Sequence, residues 1–511
     1  MTKSQLISVF IWIALTLGFA AASQAQHRLE VPETMAIGAT GTAWAGGAAA
    51  LHINPANLLD MRSGRPNNLV FLQSSATLGG GLLNVSTYNS FLTKGELLDA
   101  ARQREMLDQW YGDDAGSSMQ YAHVNAGFVL AGTAFQLNPG YAAGLSVRLR
   151  NLSSTGISRG AAELGLGGLN EDVFREGREA DLMLEATSFA EVTAGFAMML
   201  YEGDFFPLTG RRWSLQAGVS PQLFLGIAQS QLELRSRITV SGDDVHHDFR
   251  YIIQTQGETS DQLFQYLADR DANDERPEMG DYLEFPSDIG KIDGMGFGLN
   301  LGVTAQFELG DAFLDFPFLG EGMRILQLGL AFSDLGSIRY SRRAAVFENQ
   351  GLFTWEGFAI DQQRIDEEFD GDLGSYFSYV LEDSVLYDMY LDFDGREVGS
   401  NRVQLPAAWA FGGELRAGRM QAAFDLGAGF SNSGLVSRRL ALGVGASYAI
   451  TRFVPVRAGW YSGGSNNSSW TFGTGLTGGA YRLDLGVMLS PGTQNGGAWA
   501  AIGLGALQFR F

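Results

Sequence analysis

The sequence predicts an all-β fold: a transmembrane antiparallel β-barrel of about 14 strands, within a range of roughly 12 to 16. Three observations predict it. Segments of about ten residues alternate strictly between apolar and polar side chains. An export segment opens a chain that contains no cysteine. The last segment is an amphipathic strand ending in Phe511.

The first element is the export segment. Lys3 supplies a positive start, "LISVFIWIALTLGFAAA" an apolar stretch, and Ser23-Gln24-Ala25 a small-x-small cleavage site. Residues 1–25 therefore read as a signal peptide, with the mature chain starting at Gln26 or His27; an uncleaved N-terminal anchor is the alternative. Zero cysteine excludes a disulfide framework and thiolate metal sites. No later stretch reaches the ~18 continuous apolar residues of a membrane helix, which is silent about barrels.

Residues 26–66 come next. They contain "AAALHINPANLLD", a small-residue apolar run broken by Asn54-Pro55-Ala56. Pro55 fixes its own φ and holds Asn54 out of a helix, so the motif is a rigid turn. Gly and Ala allow such a segment to pack closely against a wall.

From residue 67 to 511 the chain reads as one barrel, because glycine (67 in all) is spread throughout and no Pro/Ser-rich linker intervenes. Strand candidates are 67–77, 80–91, 118–135, 141–152, 181–200, 212–227, 229–241, 246–256, 293–308 and 324–334. "SIRYSRR" and "GLFTWEGFAI" follow. Between them "TKGELLDAARQREMLDQWY" has the composition of a loop helix.

The C-terminal third alternates most clearly. Val403, Leu405, Ala407, Trp409, Phe411 and Leu415 face one way; Arg402, Gln404, Gly412, Glu414 and Arg416 face the other. Met420, Phe424, Leu426 and Phe430 stand against Gln421, Asp425, Gly427 and Gly429. Leu440, Leu442 and Val444 stand against Arg439, Gly443 and Gly445. Tyr481, Leu483, Leu485, Val487 and Leu489 stand against Arg482, Asp484, Gly486, Met488 and Ser490. A soluble sandwich alternates too. Strand length, a Gly-rich polar face and aromatics near segment ends (Trp409, Tyr448, Trp460, Tyr461, Trp470, Tyr481, Trp499) favour a membrane barrel. The lumen-facing candidates are Arg402, Glu414, Arg416, Asp425, Arg439, Arg457, Arg482 and Asp484, with Arg148 and Arg150 upstream. In the last strand Trp499, Leu507, Phe509 and Phe511 share a parity.

If Phe511 ends in the periplasm, "TGGA", "ITRF" and "RAGR" are short inner turns, and "SPGTQNGG", "SGGSNNSS" and "SNSGLVS" are outer loops. The segment from Asp361 to Ser400 then lies outside. Acidic residues gather in such loops, from Asp243 to Asp281 and from Asp366 to Asp383. Solvated external loops explain them, with divalent-cation bridging at the cell surface as the alternative; neither run has a calcium-loop register. In "DDVHHD", His246 and His247 point to opposite faces of a strand and do not share a metal there. No nucleophile, zinc or phosphate-loop motif is present, so the chain is not read as an enzyme, and neither metal nor cofactor is expected. A net charge of -21 disfavours nucleic acid.

Two resemblances add to this. The strand ending in Phe509 and Phe511 resembles the C-terminal signature of bacterial outer-membrane proteins, which implies export to the outer membrane and recognition by the barrel assembly machinery. "MAIGATGTAWAGGAAALHINPANLL" resembles the N-terminal hatch of the FadL-like outer-membrane barrels, whose pattern ends in Asn-Pro-Ala-Gly; Asn54, Pro55 and Ala56 match, and Asn57 departs. "FSDLGSIRYSRRAAVFENQGLFTWEGFAID" and "LPAAWAFGGELR" are similar to an uncharacterised branch of that group. The resemblance implies a hatch over 26–66, acting as a plug or a gate. It also implies transport of hydrophobic or amphipathic small molecules, with outer-membrane lipid around the barrel. The alternative is a structural or assembly partner of a secretion or surface-attachment system, without transport.

Overall fold

The computed structural model describes residues 27–59, 67–83, 85–93, 99–112, 119–169, 171–204, 212–242, 244–272, 279–282, 291–309, 319, 324–355, 390–431, 437–464, 466–478, 481–490 and 498–510. The signal segment, Phe511 and the acidic run from Asp366 to Asp383 lie outside these residues.

Fourteen strands close into an antiparallel ring. They are β1 (Asn68–Gly80), β2 (Met119–Asn138), β3 (Tyr141–Ser158), β4 (Leu182–Asp204), β5 (Arg212–Ser241), β6 (Gly294–Glu308) and β7 (Arg324–Ser333). The ring continues through β8 (Ala408–Ala417), β9 (Met420–Gly429), β10 (Ala441–Ala449), β11 (Pro455–Gly463), β12 (Asn466–Gly478), β13 (Tyr481–Ser490) and β14 (Ala498–Arg510). Each strand pairs with the next, and β1 pairs with β14 from Asn68↔Arg510 to Gly80↔Ala498. No edge is left open, as the hydrocarbon core of a membrane requires.

The distribution of side chains is inverted relative to a soluble protein. Leu145, Leu149, Leu330, Phe424, Leu442, Val444, Leu483, Leu485, Ile502 and Leu504 are exposed on the outside. Ser146, Arg148, Arg150, Glu191, Gln222, Asn300, Thr304, Asp425, Arg457 and Asp484 are buried on the inside. An apolar belt around a polar interior identifies the membrane as the solvent of the outer face. Val444→Arg, at the middle of β10, should therefore cost about 2–4 kcal/mol of folding stability in lipid. A charge at the exposed Leu352, on a strand beyond the barrel wall, should cost under about 0.5 kcal/mol in the same titration.

The ring is lopsided. Strands β8 to β13 run 9 to 13 residues, about what a tilted crossing needs. β5 runs 30 residues, merging the two strands expected over 212–241. Its far half leaves the membrane and pairs with Asp244–Thr255, which pairs in turn with Ala345–Trp355. Asp394–Glu397 adds to that sheet, and Ser337–Tyr340 with Asn401–Gln404 extends β6. All of this lies at the rim of long connections, the outer rim if the chain ends in the periplasm. A helix, Gly257–Ala272, packs Leu263, Tyr266 and Leu267 against Phe347 and Phe393 there.

Some local expectations are corrected. Residues 80–91 do not form a strand beyond Gly80, because Val85–Leu92 is helical. The loop helix spans Ala100–Tyr111, where the Asp99 carboxylate caps the Arg102 N–H at 2.9 Å. A bulge where β13 meets β14 (Arg482↔Gln508, then Asp484↔Gly505) shifts the parity of the last strand. Trp499 and Phe509 therefore face opposite ways. Trp499 is buried in the lumen with Tyr461, so neither belongs to an interfacial girdle; Phe509 pairs beside the exposed Tyr481.

His246 and His247 stand on opposite faces of the extramembrane sheet. His246 bonds Thr354 Oγ1, while His247 lies between Ser236 Oγ and the Tyr390 hydroxyl. Burial pushes the His247 imidazole down to about 4, with Asp248 opposing. The unfolded chain then takes up a proton near pH 6.5, whereas the fold resists until about 4. The stability this group contributes is complete above pH 6.5 and lost between pH 6.5 and about 4. The extramembrane sheet should thus loosen over that window, seen as amide exchange at Val245–Phe249, and His247→Phe should flatten the response.

Candidate functional site: the plugged lumen

Residues 27–59 fill the barrel. They form short helical turns, Pro32–Met35, Gly47–Ala49, Ala50–Ile53 and Pro55–Leu59, joined by irregular chain. The segment travels around the inner wall and lies on glycine at almost every step. Pro32 passes over Gly486 and Gly503, and Ile37 and Gly38 over Gly443, Gly445 and Gly459. Thr42 passes over Gly329, Leu51 over Gly195, and Pro55 and Ala56 over Gly218. A Cβ at Gly486, Gly443 or Gly218 would strike backbone atoms of the segment. The Gly-rich polar faces of the strands are therefore the bed on which the plug lies. Gly38 itself has φ +77°, open only to glycine at low cost.

Apolar contacts seat parts of the plug. Leu29 and Met35 pack with Met488, Tyr461 and Trp499; Leu51, Leu58 and Leu59 pack with Ala134, Ala142 and Ala197. Between these clusters the seam is polar, in three nodes.

The first node centres on Asn54 and Asn57. Asn54 Nδ2 donates to the Thr42 carbonyl (2.7 Å) and to Thr304 Oγ1 (2.9 Å), and its Oδ1 accepts the Ala56 N–H (3.2 Å). Asn57 Nδ2 donates to the same Thr42 carbonyl (3.0 Å), while its Oδ1 accepts from Thr304 Oγ1 (2.7 Å) and Gln327 (3.1 Å). Asp425 grips the far side of that turn through the N–H groups of Gly41 and Thr42 and the Thr42 hydroxyl, at 2.8 to 3.0 Å. Arg416 ties Gln327 to Glu414. Asn57, the departure from the usual glycine, thus binds as many groups as Asn54. Asn57→Gly should destabilise the protein by about 1–3 kcal/mol in urea titration, since it strands the buried Thr304 hydroxyl and Gln327 amide.

The second node is ionic. Glu191 on β4 is fully buried. It receives Arg148 at 2.7 Å, Arg150 at 3.3 Å, Thr193 Oγ1 at 2.6 Å and Gln222 at 2.9 Å. From the plug, His52 Nδ1 lies 3.3 Å from Glu191 and its Nε2 3.1 Å from Ser146 Oγ. Glu30, also on the plug, reaches Arg148 at 2.5 Å and Arg150 at 3.5 Å. Arg150 closes the node by a two-pronged pair with Asp334, both arms at 3.1 Å. Asp334 has φ +55°, and its N–H donates to Asn300 Oδ1. Beyond this node, toward the long-connection rim, Leu152, Phe189, Phe224, Ile338, Tyr340 and Leu405 form an apolar cluster.

The third node joins Glu33 of the plug to Arg482 (2.7 Å). Asp484 is held by Arg482 (2.5 Å) and Arg457 (2.9 Å). Beside it, between plug and wall, lies a cavity of about 260 Å3 that reaches the turns at Gly418-Arg419 and Thr451-Arg452.

The lumen thus brings together Glu414, Arg416, Asp425, Arg457, Arg482 and Asp484 with Arg148 and Arg150. Two expected lumen residues lie elsewhere. Arg402 is exposed on the extramembrane strand Asn401–Gln404, donating to Ser337 Oγ, because the barrel wall resumes only at Ala408. Arg439 is exposed in the connection before β10, which starts at Ala441. Sequence reasoning missed Glu191, Asp334 and Glu30 as partners of the arginines. A lone acid on the polar parity of "FAEVTAGF" was the available signal for Glu191.

Among solved structures, the chain is similar to a Pseudomonas aeruginosa FadL homologue, with 11% identity, 94% of this chain and 98% of that chain covered, and a TM-score of 0.45. It is similar to the Pseudomonas putida toluene transporter TodX, with 12% identity, coverage of 94% and 99%, and a TM-score of 0.44. The autotransporter NalP translocator domain from Neisseria meningitidis has 11% identity, coverage of 89% and 91%, and a TM-score of 0.30. No curated protein sequence matches. Residues 77–488 match the profile of a family of unknown function, DUF5723, and the chain belongs to that family.

Proposed function

We propose that the protein is an outer-membrane channel for hydrophobic or amphipathic small molecules, closed at rest by its N-terminal segment acting as a hatch. The seam carries this reading. Between its apolar clusters, plug and wall meet through three nodes of hydrogen bonds and ion pairs beside a cavity, and water can replace those contacts as it cannot replace a dry apolar core. Export through residues 1–25 and delivery by the barrel assembly machinery through Phe509 and Phe511 belong to the same reading.

The absence of native cysteine makes a clean test available. A Cβ at Gly132 would sit 3.1 Å from Ala48 Cβ, near the separation a disulfide bridges. Ala48→Cys with Gly132→Cys should tether the plug when oxidised. Uptake of a hydrophobic probe should fall on oxidation and return on reduction; equal uptake in both states would remove the gating reading.

A second reading, a structural or assembly partner of a secretion or surface-attachment system, is favoured by the extramembrane sheet built on β5. A stable complex recovered through that sheet, with uptake unchanged in a deletion strain, would select it.

A further inference from the structure

The cavity beside the third node has an unusual charge for this chain. Five guanidinium groups line it, Arg148, Arg419, Arg452, Arg457 and Arg482, against the carboxylates of Glu30, Glu33 and Asp484. Arg148 is balanced by Glu30 and the adjoining Glu191, and Arg457 with Arg482 by Glu33 and Asp484, so the two charges in excess are those of Arg419 and Arg452, in a protein whose net charge is -21. Arg457 is only 4% exposed, and its Nε is buried without an acceptor among the described residues. Its two other nitrogens are already used by Asp484 and the Thr474 carbonyl. Arg419 and Arg452 sit on the two short turns at the mouth, and neither has an ion pair among the described residues. Arg452 lies 4.5 Å over its neighbour Phe453, which restrains it near the opening.

An excess of two charges on planar, fork-shaped donors matches a phosphate dianion. The remaining wall is mixed, with Gln73, Ser447, Thr477 and Gln508 beside Val31, Leu58 and Val70, so the arginines place the phosphate and the wall admits the rest of the molecule. We propose that this cavity is a binding site for a phosphate-bearing molecule that enters at the rim of short turns, the periplasmic side. Arg457 and Arg482 form its floor, and Arg419 and Arg452 form its mouth. The site does not depend on the plug moving, so it stands or falls separately from channel activity.

The test is calorimetric titration of the full chain in dodecyl maltoside with inorganic phosphate and, separately, with dodecyl phosphate. One saturable site is expected, weakened by added salt. Arg419→Gln with Arg452→Gln, on exposed turns, should weaken binding about tenfold while the folded gel mobility is kept. Arg457→Gln should weaken it at least as much. Binding of both probes identifies a free phosphate as sufficient, and binding of dodecyl phosphate alone identifies an amphiphile headgroup. Absence of binding by both probes, or unchanged affinity in the folded Arg419/Arg452 variant, overturns the proposal.

Discussion

Arg150→Ala is expected to cost about 3–5 kcal/mol of stability, among the largest effects of any single change in the lumen. The guanidinium is fully buried and lies against Asp334, Glu191 and Glu30. Removing it takes the two-pronged partner away from the buried Asp334 and weakens the clamp on Glu30. Burying unbalanced carboxylates is far more costly than losing an exposed pair. Arg150→Lys should recover only part of the loss, because a single ammonium cannot make both arms of the pair with Asp334. The readout is the urea midpoint of the folded gel band. The exposed Arg402→Ala is the control, expected within about 0.5 kcal/mol of the parent protein.

Gly218→Leu should act differently. A side chain there occupies the path of the Pro55 and Ala56 backbone, while β5 keeps its pairing with β4 and β6. The barrel is expected to assemble, but the segment from Asn54 to Asn57 cannot seat. Its bonds to Thr304, Gln327 and the Thr42 carbonyl are lost together. Overpacking alone costs about 1–3 kcal/mol, and unseating the turn adds the stranded polar groups. Protease should then cut within 27–59 in the folded barrel, where the parent protein resists. Gly242→Leu, at a Gly whose Cβ position is open, should leave protection unchanged apart from local strain at φ +62°.

Much of this architecture is legible in the sequence, for a physical reason. Strand alternation reports two solvents, lipid outside and a polar interior inside, so Leu483 and Leu485 against Arg482 and Asp484 announce the wall directly. The ring of fourteen follows from strand length and turn spacing. What local pattern cannot convey is where the wall stops. Arg402 and Arg439 alternate as wall residues do, yet one lies in an added sheet and the other in a connection. Parity also fails across a bulge, which is why Trp499 turned inward. Partners distant in sequence, such as Glu30 with Arg148 or Thr42 with Asp425, are set by closure of the whole barrel. No window of the sequence contains both halves of those pairs. The glycines were visible as composition, but their purpose needed the plug backbone above them.

Closure of the transmembrane barrel by residues 27–59 has an electrical consequence. Ion conductance across a planar bilayer tests it most directly, comparing the full chain with one lacking residues 27–59. The full chain should hold the membrane nearly silent, and the shortened chain should give large, stable steps. Equal conductance in the two, or a shortened chain that folds into the bilayer without conducting, would contradict it.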